Sequence, residues 1–227
     1  MNRVLVTGAG RGIGLETVKQ LLDRGDFVIA TYRGAEPPAS LAALSCPQLL
    51  LFPLRVTEQG DINAFAAHLK NQPIDVLINN AGIIGPEHQA YDDMDVKGWM
   101  ETFEINTIAP LMITSALIPN LQKGNNPRVL TISSQMGSLH REARGMLAYR
   151  SSKAAVNKVM QVLSLELKDK GITVCPVHPG WVKTDMGGSE ADITAHESAA
   201  GIIALADTLS IEKSGKFFTW EGHEHAW

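Results

Sequence analysis

The chain has 227 residues, 44% of them hydrophobic and 19% charged, with 20 Gly and 11 Pro, a balance that disfavours disordered, collagenous and membrane-embedded classes and suits one large domain over residues 1–227. Its 20 basic and 24 acidic residues leave a net charge of −4 with no long run of either sign, so the expected partner is a small molecule, not nucleic acid or a membrane. Cys46 and Cys175 are the only cysteines and the apolar run after Met1 is too short for a signal peptide, which leads us to expect a cytoplasmic protein.

In chain order, short β-rich apolar runs at 4–7, 27–31, 49–52, 76–79, 129–133, 172–177 and 217–219 read as seven strands. Between them helical periodicity covers 12–24, 59–70, 96–122, 149–170 and 196–209, with a weak helix at 41–44. This alternation predicts an α/β fold: a doubly wound parallel sheet of the Rossmann type with helices on both faces. The stretches 34–40, 85–93 and 187–195 read as loops, and ligands in such folds bind where loops leave the carboxyl ends of strands.

The first strand runs into Thr7-Gly8-Ala9-Gly10-Arg11-Gly12-Ile13-Gly14 and then a helix. Glycines let a backbone approach a pyrophosphate closely, and the helix amino terminus offers it free N–H groups. Glycine clusters are often only tight turns, and the flanking strand and helix favour the nucleotide reading. A P-loop is excluded, because no Gly-Lys-Ser/Thr follows.

The spacing T-G-x-x-x-G-x-G resembles the short-chain dehydrogenase/reductase family. Further stretches match it in order: Asn79-Asn80-Ala81-Gly82 after the fourth strand, Asn106 in the long helix, Ser133-Ser134 after the fifth strand, Tyr149-x-x-x-Lys153, and Pro179-Gly180 followed by Val182 and Thr184. The run 178–188 with 214–218 is most similar to C-factor-like signalling proteins and Sniffer-type carbonyl reductases. The resemblance implies a catalytic set of Asn106, Ser134, Tyr149 and Lys153. In it the tyrosine exchanges a proton, the serine holds the substrate oxygen, the lysine also holds the nicotinamide ribose, and the asparagine holds a relay water. It further implies cofactor contacts from Gly8, Gly12, Ile13, Gly14, Val56, Asn80, Ala81, Gly82, Tyr149, Lys153, Pro179, Gly180, Val182 and Thr184.

The residues themselves bear on the same chemistry. Tyr149 and Lys153, four apart on a helix, share one face, so the ammonium is expected to draw the phenol down from its usual pKa of ~10. Alone, such a pair is a common surface feature. Asn106 lies mid-helix, where Asn is a poor helix former, and Pro110 frees the carbonyl at 106 from its usual partner.

Cofactor choice is read at the end of the second strand. Tyr32 stands where an acidic residue would favour NAD, and Arg33 follows; a guanidinium there suits the 2′-phosphate of NADP. Arg11 and Arg55 add positive charge, Arg55 in place of the family's usual Asp beside the adenine. NADP(H) is therefore expected, with NAD(H) second. No metal site is expected, since His223 and His225 lack a third ligand.

The function expected is hydride transfer between NADP(H) and a carbonyl or alcohol, with a loop around 185–200 facing the substrate. The rival is a dinucleotide-binding signalling protein in which turnover is secondary; a Ser134 hydrolase lacks the G-x-S-x-G elbow. The helix at 149–170 is apolar on more than one face, so a homodimer or homotetramer is expected.

Overall fold

The computed structural model describes residues 1–227. All seven expected strands form: β1 (Arg3–Val6), β2 (Phe27–Tyr32), β3 (Leu49–Pro53), β4 (Val76–Asn79), β5 (Arg128–Ile132), β6 (Thr173–His178) and β7 (Phe218–Thr219). They build one parallel sheet in the order β3-β2-β1-β4-β5-β6-β7. Val4 pairs with both Val28 and Val76, Val76 with Arg128, Val129 with Val174, and Phe218 with Val177.

Both faces of the sheet are covered, and the period-2 alternation of strand side chains assigns each residue to a face. Val4, Val6, Val28 and Ala30 pack with Val18 of α1 (Gly12–Asp23) and Ile202 of α7 (Ala195–Thr208). Leu5, Ile29, Leu77 and Val129 point the other way, onto Phe65 of α3 (Gln59–His68), Ile113 of α5 (Ala109–Leu121) and Val156 of α6 (Leu147–Glu166). A one-turn helix α2 (Ala39–Ala42) fills the weakly helical stretch.

The expected helix at 96–122 is not continuous. It divides into α4 (Val96–Phe103), a π-helical turn (Glu104–Ile108) and α5. The supposed loops also carry short pairings: Gln89–Ala90 with Asp93–Met94, and Val182–Lys183 with Ile193–Thr194. The latter leads into α7 through a capping box between Thr194 and Glu197.

Strand order reverses at β1 and β4, and the crevice beyond the carboxyl ends of two such strands is where an open α/β sheet holds its ligand. The glycine turn leaves β1 there, the Asn80 turn leaves β4, and the Ser134 turn leaves the neighbouring β5.

Candidate active site

The turns after β1 and β4 are stitched together by one hydroxyl and one amide. Thr7 Oγ1 accepts from the N–H of Asn80 at 3.0 Å and of Ala81 at 3.1 Å. Asn80 Nδ2 donates back to the carbonyls of Thr7 and Gly8, each at 3.0 Å. Gly8 is left-handed at φ +65°, and a Cβ on it would stand 2.8 Å from Ala81 Cα; a Cβ on Gly14 would stand 2.5 Å from Asn80 Nδ2 and from the Gly8 carbonyl. Any larger residue would force the two turns apart. Arg11, the residue before α1, supplies no side-chain cap, so the first-turn N–H groups of α1, at Gly12, Ile13 and Gly14, are left for a ligand. Val56 lies beneath the two turns, around a small gap shared with Thr7, Ala81 and Pro110.

Asn106 is only 1% exposed, and its amide is fully engaged. Its Oδ1 accepts from Ile83 N–H at 2.9 Å, while Nδ2 donates to the Ile83 carbonyl at 2.9 Å and to Ser152 Oγ at 3.1 Å. Thr107 Oγ1 donates to the Ser152 carbonyl at 2.9 Å, so the π turn is clamped between the Gly82 loop and α6. Gly82 lacks the Cβ that would stand 3.2 Å from Asn106 Oδ1 and 3.6 Å from Lys153 Nζ.

Tyr149 and Lys153 are both buried on α6. Lys153 Nζ lies 5.7 Å from the Tyr149 ring centroid and donates to the Ile132 carbonyl at 2.8 Å. Burial lowers the lysine to about 8. The phenol departs from expectation: burial, disfavouring the charged form, raises its pKa, and the Ser134 hydroxyl that faces it pulls back the other way. The expected lowering by the ammonium is not found: burial and the Ser134 hydroxyl are what act on the phenol. Ser134 Oγ also accepts from Met136 N–H at 3.1 Å, whereas its neighbour Ser133 is turned inward onto Asn157 Oδ1 at 2.6 Å.

The three arginines expected around the adenine end of the cofactor separate. Arg11 is paired with Asp185 at 2.5 Å across the crevice. Arg55 makes a two-point pair with Asp61, Nε to Oδ2 at 2.7 Å and Nη2 to Oδ1 at 2.9 Å. Arg33 alone is exposed with no ionic partner. Residues after β6 close the other side. The Pro179 carbonyl accepts from Ser198 Oγ at 2.6 Å; Gly180 and Val182 lead to Thr184, whose Oγ1 accepts from Gly187 N–H at 3.1 Å. A cavity of about 460 Å³ opens between these parts, lined by Arg11, Ile83, Ile84, Glu101, Asp185 and Met186 among others.

Two features have no signal in the sequence pattern. Gln89, in the supposed loop 85–93, is buried against the first turn of α6. The tail at 223–227 folds back: His225 N–H donates to the Phe217 carbonyl at 2.7 Å, Ser138 Oγ to that of Ala226 at 2.9 Å, and His140 N–H to that of Trp227 at 3.0 Å. No group of three or more His, Cys, Asp or Glu could hold a metal ion, and no helix is long and apolar enough to cross a membrane.

This arrangement is shared with known proteins. Residues 2–194 match the family model for short chain dehydrogenases. The chain is 42% identical over 167 residues to C-signal of Myxococcus xanthus, covering 73% of this chain and 100% of that one. An NADPH-bound carbonyl reductase from chicken fatty liver superposes with a TM-score of 0.92 at 37% identity, covering 100% of this chain and 99% of that one. The carbonyl reductase Sniffer of D. melanogaster gives 0.94 at 31% identity, with both chains covered in full. The glycine turn, the stitched asparagine turn and the buried Tyr149–Lys153 pair thus occur in a chain that belongs to the short-chain dehydrogenase/reductase family of oxidoreductases.

Proposed function

We propose that the protein, working as one domain over residues 1–227, transfers a hydride between NADP(H) and a carbonyl or alcohol substrate. The observation that carries this reading is the convergence of Ser134, Tyr149, Lys153 and Asn106 at the crevice that also holds the close-packed glycine turn. The residues fit the cofactor: the first turn of α1 has free N–H groups for a pyrophosphate, and Arg33 has a free guanidinium for a 2′-phosphate. Gly8, Gly12, Ile13, Gly14, Asn80, Ala81, Gly82, Val56, Pro179, Gly180, Val182 and Thr184 would line that site. Bound NADPH would supply the hydride.

Tyr149 gives the substrate oxygen its proton. Its raised pKa keeps the phenol protonated at neutral pH, the form that reduction requires. Ser134 holds the same oxygen by hydrogen bonding. Lys153, fixed on the Ile132 carbonyl, holds the ribose and stands behind the phenol as its proton source. Asn106 spends its amide on Ile83 and Ser152, so its contribution to a proton relay comes through the backbone carbonyl, freed by Pro110.

The test is a panel of carbonyl compounds with NADPH, its oxidation followed by absorbance; turnover of at least one class is expected, and none with any member would sink the proposal. A second reading, a dinucleotide-binding signal protein, is favoured by the likeness to C-signal. It expects NADPH binding without useful turnover.

Val162 and Leu165 of α6 are exposed, as are Val96, Met100 and Ile108 along α4 and the π turn. An apolar surface of this kind suits burial in a second copy of the chain. Sedimentation at micromolar concentration should therefore give two or four times the chain mass of 24.6 kDa, and a sharp monomer would refute it. The free thiols of Cys46 and Cys175 suit the reducing cytoplasm.

A further inference from the structure

The helix that carries Tyr149 begins in an unusual way. Met146, the residue before α6, is left-handed at φ +53° and gives the helix no side-chain cap. Tyr149 is the third residue of the helix, so its own N–H is among those with no partner inside it. That N–H donates to Gln89 Oε1 at 3.0 Å, from a residue far away in the chain.

Gln89 is 8% exposed, and both ends of its amide are used. Its Nε2 donates to the Ile84 carbonyl at 3.0 Å and to the Pro86 carbonyl at 2.7 Å. Ile84 and Pro86 are part of the cavity wall. One planar amide therefore spans the distance from that wall to the backbone of Tyr149. A planar group with two donated bonds and one accepted bond has little freedom, so a displacement at either end is passed to the other.

We infer that Gln89 is a positioning residue: it caps α6 from outside and sets the Tyr149 phenol against the wall that the substrate touches. This rests on the reading of Tyr149 as the proton donor. A contact at Ile84–Pro86 is then transmitted to Tyr149 through Gln89, so the residue acts on the chemical step; none of its three bonds reaches the glycine turn, and cofactor affinity changes little.

Gln89→Met keeps the length and removes all three hydrogen bonds. In Gln89→Met, amide exchange at Tyr149 should quicken about tenfold relative to Val156 deeper in α6, as expected for one lost hydrogen bond. Turnover of a reduced carbonyl should fall by at least about tenfold, since small misplacements of a reacting group are costly, with NADPH affinity within about twofold of the unaltered protein. Exchange and turnover both within twofold of the original in Gln89→Met would overturn the inference. So would exchange that quickens uniformly along α6, which marks a general loss of stability. If Gln89→Met does not fold, Gln89→Asn, too short to span both ends, is read by the same criteria. Tyr149→Phe in the same assay separates the two claims: retained turnover there rejects the proton donor, whereas the exchange result speaks to the Gln89 cap alone.

Discussion

Replacing Tyr149 by phenylalanine is expected to lower carbonyl reduction by roughly 100- to 10,000-fold, the span that a positioned proton donor contributes. The ring stays in place and only the hydroxyl leaves. Lys153 remains tied to the Ile132 carbonyl and Ser134 to Met136 N–H, so the surroundings have no cause to collapse. Cofactor affinity, measured by fluorescence titration on the same sample, should be nearly unchanged. Near-original turnover in the variant rejects the assignment of the acid. If neither protein reduces any carbonyl while both bind NADPH, the signalling reading gains. The pH profile follows from the direction of the phenol's shift: burial holds its pKa above the ordinary value, so reduction should persist through neutral pH and decline only as pH rises through that raised value. Alcohol oxidation, which needs the phenolate, should rise over the same interval.

The protein should bind NADPH more tightly than NADH, and Arg33→Ala should remove most of the difference. A charge-assisted hydrogen bond contributes about 1.5–3 kcal/mol, equivalent to roughly tenfold to a hundredfold in affinity. With Arg11 held by Asp185 and Arg55 by Asp61, Arg33 is the free guanidinium among the three. Tyr32, by contrast, is 6% exposed and packed into the core, so an aspartate there would bury a carboxylate and confuse specificity with stability. Arg33→Ala is the cleaner variant. Titration at low and high ionic strength gives a second check, because a preference made by charge weakens with salt. Equal affinity for both cofactors in the unaltered protein, insensitive to salt, would refute the assignment while leaving the family untouched.

Most of the fold could be read from local pattern. The strands are runs of Val, Leu and Ile bounded by turn residues, and burial on both faces of a parallel sheet makes such runs nearly continuous. The sites set by chain order could be read as well: Thr7, Gly8 and Gly14 lie at a strand-to-helix junction where spacing alone carries geometry. The break at Glu104–Ile108 was hidden because Glu-Ile-Asn-Thr-Ile is compatible with an ordinary helix; what opens it is the bonding of Asn106 to Ile83 and Ser152, both distant in the chain. The pairing of Arg11 was hidden for the same reason. Arg11 meets Asp185 only after β6 is in place, and nothing near Arg11 in sequence announces it. Gln89 carries no periodicity and lies in a stretch that reads as loop, although three backbone groups from two separate segments converge on it. His225 reads as part of a polar tail, yet its ring lies 4.8 Å from that of Phe217.

The strand order has a consequence for how the chain acquires its shape as it is made. Beginning from β1, strands β2 and β3 extend the sheet to one side; β4, β5, β6 and β7 then extend it to the other, each beside the strand formed just before it except β4, which docks on β1. No strand ever has to be threaded between two that are already paired. Synthesis from the amino terminus can therefore build the sheet by successive addition, with β3 as one lasting edge and the other edge awaiting the next strand at each stage. The long separations in sequence, such as Val4 beside Val76, still impose the slow loop closures of a non-local topology. The growing open edge, able to pair with another chain until β7 closes the series, is where a stalled or truncated product would aggregate.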